Sequence, residues 1–115
     1  MSGDELYNLA FLNKVSGGDE GFIREMITTF KEVAPEYLEK ANSYLERSMI
    51  DALSKETHRF IPGVSFLGAK SLEEDLMYIE EYTKKNENLD KVPGLLTDVS
   101  AKINALIACF DRDFN

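Results

Sequence analysis

The stretch VPGLLTDVSAKINALIACF, residues 92–110, decides the fold class. Its apolar residues Val92, Leu96, Val99, Ile103, Leu106 and Phe110 step by 4, 3, 4, 3 and 4, the repeat that lines one side of an α-helix. Working back along the chain, Leu72, Leu76, Ile79 and Tyr82 give a second stripe, and Ser71 with Glu74 three residues on reads as a capping box before it. Leu53, Thr57, Phe60, Val64 and Leu67 give a third, ending at Gly68. Phe22, Met26, Phe30, Val33, Tyr37, Ala41 and Tyr44 give a fourth, from Asp19 to about Arg47. Pro35 lacks the amide that would bond back to Lys31, which predicts a bend in that helix rather than a break. No strand pattern competes.

These elements predict an all-α protein, an antiparallel four-helix bundle with helices at about residues 19–47, 50–67, 71–85 and 89–111. A short N-terminal cap helix at about residues 5–15, followed by Gly17-Gly18, completes the expectation of a single domain over 1–115. All the stripes can be buried internally, so a monomer is expected. Of the 115 residues, 43% are hydrophobic and 30% charged, a balance that supports one core. The net charge of −8, from 21 acidic and 13 basic residues, would repel nucleic acid and anionic membrane surfaces, so neither is expected as a partner. Cys109 stands alone, no apolar run approaches the roughly 18 residues of a membrane span, and MSGDELYNLA has no signal-peptide pattern. A reduced, cytoplasmic protein is the expectation.

The inventory of reactive side chains excludes most catalytic classes. One histidine and one cysteine, far apart in the chain, suit neither a zinc site nor a cysteine–histidine pair. Glu-x-x-His pairs for a di-iron site are missing, and Gly17, Gly18 and Gly21 follow no strand. The acidic runs Glu73-Glu74-Asp75 and Glu80-Glu81 read as solvated helix faces before they read as metal ligands. No cofactor is expected.

That leaves His58. A helix turns by about 100° per residue, which puts His58 one step off the core line through Thr57 and Phe60, at the water's edge. Ile61 and Pro62 fall above it on the same face and Lys55 falls below. If the two helices on either side of Gly68-Ala69 fold back antiparallel, counting equal steps from the turn brings Glu80 level with His58. A carboxylate there would hold the Nδ1 proton and leave Nε2 free as a nucleophile, a geometry suited to accepting a phosphoryl group.

The run THRFIPGVSFLGA, residues 57–69, resembles the signature of histidine-containing phosphotransfer domains, in which a small residue precedes the histidine, a leucine follows and a Leu/Ile-Gly-Ala closes. Thr57, Phe60 and Leu67-Gly68-Ala69 stand at those positions. Tyr7-Asn8-Leu9 with Phe11-Leu12, Gly17-Gly18-Asp19-Glu20, and Phe30 with Ala34-Pro35 are similar to the family's front half. The resemblance implies a carrier in two-component signal transduction. Its histidine takes a phosphoryl group from the aspartate of one receiver domain and gives it to another, with no ATP site of its own and with Mg²⁺ coming with the receiver. It also implies that Glu80 orients the ring. Where the family carries Lys and Gly, this chain has Ile61 and Pro62, with Gly63 one place later. Lys55, Arg59 or Lys40 is then expected to supply the missing charge, and Lys55, Arg59, Ile61, Pro62 and Gly63 form the expected partner-binding set. Ile61, Phe66 and Met77 would add docking contacts if exposed. Two other readings stand beside it: a degenerate relative that binds receivers or kinases without carrying phosphate, and an unrelated helical interaction domain.

Overall fold

The computed structural model describes residues 6–114, and every regular element in them is helical. Five α-helices follow in order: α1 (Ala10–Ser16), α2 (Glu20–Glu46), α3 (Ile50–Phe66), α4 (Lys70–Lys85) and α5 (Val92–Asp113). A single 3₁₀ turn, Leu89–Lys91, leads into α5, where Pro93 sits in the first turn and its missing amide costs nothing. α3 packs against α2 on one side and α4 on the other, α5 packs against α2 and α4, and α1 rests on α2. The apolar stripes of α2, α3, α4 and α5 meet in one core.

The stripes of α3 and α5 are buried as the spacing predicts, including Leu53, Thr57, Phe60, Val64 and Leu67 on one and Val92 through Phe110 on the other. In α2 the core face is different from the predicted one. Ile23, Ile27, Phe30, Ala34, Tyr37 and Ala41 are buried, whereas Phe22 and Val33 are exposed and Met26 and Tyr44 are half-buried. The buried set steps by 4, 3, 4, 3 and 4, a straighter line than one through Phe22, so the first half of the helix turns by one residue. α2 runs through Pro35 unbroken, with the proline on the exposed side. Asp19 caps it by accepting a hydrogen bond from the Phe22 amide at 3.2 Å.

Two further boundaries depart from the sequence reading. Ser71 is not a cap: α4 begins at Lys70 behind Ala69, with no side-chain cap, because Gly68 reverses the chain and helix resumes within two residues. Instead of capping, the acidic first turn sends Glu73 to the hydroxyl of Ser65 across the turn. The N-terminal helix starts at Ala10, later than predicted, and position 5 of the predicted span lies outside the described residues. Asn8 is the reason: its side chain accepts from the Ala10 amide at 2.8 Å while its own amide donates to the Leu67 carbonyl at 3.1 Å. Finally, α5 is long and apolar enough to cross a membrane by length and composition, with mean hydropathy 1.2 in its most apolar window, since only Asp98 and Lys102 are charged between Val92 and Cys109. Its apolar stripe is buried against the neighbouring helices.

Tyr7, ahead of α1, is tied to the end of α5. Tyr7 donates to Asp113 at 2.6 Å, and its phenol is pushed up to about 12, first by burial and then by that bond and charge. Arg112 and Tyr7 together hold the Asp113 carboxyl below the usual carboxylate range. Arg24 adds a bond to the Phe114 carbonyl at 2.8 Å.

An aromatic column ties α2, α3 and α5. Tyr37 stacks on Phe60 with ring centres 4.5 Å apart, Phe30 stacks on Phe60 at 6.1 Å, and Phe110 meets Phe30 edge-on at 6.1 Å. At its end the buried Thr57 hydroxyl donates to the Leu53 carbonyl, 2.8 Å away. That uses its proton, so the Tyr37 hydroxyl, also at 2.8 Å, is the donor to Thr57.

Gly68 sits at φ +65, a left-handed conformation, and a Cβ there would collide with the backbone carbonyl of Asn8. Gly68→Ala is expected to destabilise the fold by about 2 kcal/mol or more, read as a lowered urea midpoint at unchanged slope. Gly63→Ala, whose Cβ would meet nothing within 4 Å, is the matched control.

Burial, the dominant cause, pushes the Tyr37 phenol up to about 12, and the charge of Glu56 adds to the rise. From about pH 10 to about pH 12 the folded state keeps a proton that the unfolded chain releases, so stability falls as pH rises through that window. Tyr37→Phe should flatten this alkaline loss by on the order of 2 kcal/mol. Urea melts on both sides of the window, with tyrosinate absorbance as the titration readout, check it.

Candidate functional site

The site is set by the rotation of α3. Thr57 and Phe60 point inward and are held there by Tyr37, which turns the intervening His58 outward with 75% of its side chain exposed. On α4, Ile79 is fully buried and Thr83 bonds back to the Ile79 carbonyl at 2.6 Å, which leaves Glu80 at the margin between the helices, 23% exposed. His58 precedes Ala69 by eleven residues and Glu80 follows it by eleven. Across that hairpin, Nδ1 of His58 lies 2.6 Å from Oε2 of Glu80. In the neutral imidazole the short contact places the proton on Nδ1, donated to the carboxylate. Nε2 then carries the lone pair, and among the described residues nothing hydrogen-bonds it.

His58 and Glu80 share an open cleft of about 510 Å³ with Lys55, Arg59, Asp51, Ser54 and Lys84. Three of its seven lining residues are thus cations, against two carboxylates, in a chain of net charge −8. The cations are not equivalent. Lys55 is paired with Asp51 at 3.1 Å and Arg59 with Glu56 at 3.2 Å. Lys40, the candidate on the neighbouring helix, is outside the cleft lining and lies 4.0 Å from Glu36.

The other expected contact residues lie elsewhere. Ile61 is half-buried and lines, with Pro62, Ser65, Phe66 and Phe11, an apolar groove of about 560 Å³ toward the α3–α4 turn. Phe11 and Phe66 stack at 5.7 Å on its wall and are 52% and 39% exposed. Gly63 opens on a third side, toward Met26, Phe30 and Val33 of α2. Met77 is exposed on α4, apart from all three of these hollows. The five predicted contact residues therefore split: Lys55 and Arg59 join His58 in the polar cleft, Ile61 and Pro62 line the apolar groove, and Gly63 faces α2.

Lys84 is the residue that the sequence reading missed. The same counting that leads from His58 to Glu80 reaches it one helical turn later on α4, at i+4 from Glu80. The acidic runs disperse among separate partners: Glu73 to Ser65, Asp75 to Lys102 at 2.6 Å, Glu81 to Lys85 at 3.8 Å. Among the described residues no three His, Cys, Asp or Glu side chains group as metal ligands.

What this arrangement offers is one solvent-facing imidazole nitrogen, its ring oriented by a carboxylate, beside cations and an apolar groove. Comparisons with known proteins give no matching family model, no matching curated protein and no matching solved structure.

Proposed function

We propose that the chain is a histidine phosphocarrier of the phosphotransfer-domain type, in which α2 to α5 act as an antiparallel four-helix bundle capped by α1. The observation that carries this reading is the exposed His58 whose Nδ1 is engaged by Glu80 at 2.6 Å, leaving Nε2 open to solvent. In the proposed reaction, the Nε2 lone pair attacks the phosphorus of an aspartyl phosphate on a docked receiver domain. The new N–P bond forms as the acyl P–O bond breaks, and the electron pair returns to the receiver's carboxylate. The proton stays on Nδ1, and Glu80 stabilises the positive charge that the ring acquires. Transfer to a second receiver is the reverse of these steps. Mg²⁺ and most of the charged catalytic groups come with the receiver. The chain's own share is placement of the nucleophile on a rigid helix, with no ATP site. Such a carrier would work as a monomer in the cytoplasm, meeting hybrid kinases and response regulators in turn.

One observation favours a second reading. Ile61 and Pro62 occupy the places of the family's Lys and Gly, and they line an apolar groove. A degenerate relative that docks receivers through that groove without carrying phosphate would have the same surface.

Incubation with phosphorylated receiver domains is expected to leave an acid-labile, alkali-stable phosphate on the wild type and none on His58→Gln. Because His58 is exposed, the variant should keep its stability to within about 0.5 kcal/mol. Binding without label across a broad receiver panel would decide for the adaptor. Glu80→Ala should slow transfer about tenfold or more, the worth of a charge-assisted hydrogen bond lost from the developing imidazolium. Receiver affinity should not change, and an unchanged transfer rate would remove Glu80 from the mechanism.

A further inference from the structure

A phosphoryl group on His58 would bring two negative charges next to the Glu80 carboxylate, a repulsion that the site has to offset. Position 61, above the histidine, holds a half-buried isoleucine and cannot do so. We infer that Lys84, one turn beyond Glu80 on α4, is the phosphoryl-binding cation of this site, an inference that rests on the phosphocarrier reading. Lys84 lines the same cleft as His58. Of the three cations there, Lys55 is held by Asp51 and Arg59 by Glu56, whereas Lys84 has no ion pair or hydrogen bond among the described residues. Its neighbour Lys85 is paired with Glu81 and stands outside the cleft. A lysine is a compact charge on a flexible four-carbon stem, so an unpaired one can swing onto a new anion without first breaking a contact. Lys84 also lies in the last turn of α4, where the helix's own partial negative charge favours a cation. The counter-charge has thus moved to the opposite side of the histidine from position 61, which frees Ile61 and Pro62 to form an apolar surface.

The test uses phosphoramidate, a small donor that needs no receiver. Nε2 attacks its phosphorus, the P–N bond to ammonia breaks, and ammonia leaves as the N–P bond to His58 forms. Wild type, Lys84→Gln, Lys84→Arg and Lys85→Gln are compared for the rate of His58 labelling and for the ³¹P titration midpoint of the phosphohistidine. At low salt Lys84→Gln should label about fivefold more slowly, the factor that one unit-charge contact across water is worth. Its phosphoryl midpoint should rise, because a nearby cation favours the dianion. Lys84→Arg should restore both, and Lys85→Gln should change neither. The difference should shrink when salt shortens the screening length from about 30 Å to about 3 Å. Normal labelling and an unmoved midpoint in Lys84→Gln would overturn the inference while leaving His58 as phosphoacceptor. A defect that ignores salt and is not rescued by arginine would overturn it too, as a structural effect. No label on wild-type His58 would defeat the phosphocarrier reading itself, and the role of Lys84 with it.

Discussion

The buried hydroxyl pair of Tyr37 and Thr57 fixes how α3 is turned, and the rest of the site follows from that rotation. Thr57 is fully buried, yet both its hydrogen bond to Leu53 and its bond from Tyr37 are satisfied. Turning α3 by one residue would carry the Thr57–Leu53 bond with it but strand the Tyr37 hydroxyl, at about 1–3 kcal/mol, and would pull Phe60 off the aromatic column. A purely apolar contact would tolerate small rotations, whereas a directional bond between helices and a stack do not. An exposed side chain next to Thr57 therefore has a defined outward direction. His58 inherits its orientation from a buried threonine and a buried phenylalanine.

The second constraint is the tight reversal between α3 and α4. Gly68 in a left-handed conformation closes the hairpin in Leu67-Gly68-Ala69, and Asn8 lies so close that only a hydrogen fits in place of a side chain. With so short a turn the two helices have one register, which is why Glu80 comes level with His58. A longer loop would let α4 slide by a turn and bring Met77 or Lys84 opposite the ring instead. The N-terminal segment that packs over this reversal is itself tied to the end of α5 by Tyr7 and Asp113. The hairpin register and the Tyr7–Asp113 bond are thus parts of one clasp.

This explains what was legible in the sequence and what was not. The helical class, the core faces of α3 and α5 and the His58–Glu80 juxtaposition rest on periodicity and on a turn marked by glycine, all of which are local. The face of α2 was misread because both Phe22 and Ile23 begin an apolar stripe that reaches Phe30, and only tertiary packing, which buries Ile23 and Ile27, chooses between them. Ser71-Glu74 looked like a capping box because the pattern says nothing of how soon helix resumes after Gly68. Asn8 delays the first helix through a bond to Leu67, distant in sequence, which no local rule contains. Lys84 was reachable by counting, but its significance depends on which lysines already have carboxylate partners, and that is a property of the folded surface.

The surface around His58 is consequently two-sided. Toward the α3–α4 turn lies the apolar groove of Ile61, Pro62 and Phe66, and toward the other end of the hairpin lies the cation-bearing cleft. These halves suit different tasks. Apolar burial gives affinity that does not depend on phosphorylation, since the groove has no charge to respond to a phosphoryl group. A cation on a flexible stem responds strongly to that charge but adds little to docking across water. For the carrier we propose, keeping the two apart would let the charge on His58 change without altering the apolar contact area. Here the half-buried Ile61 separates them.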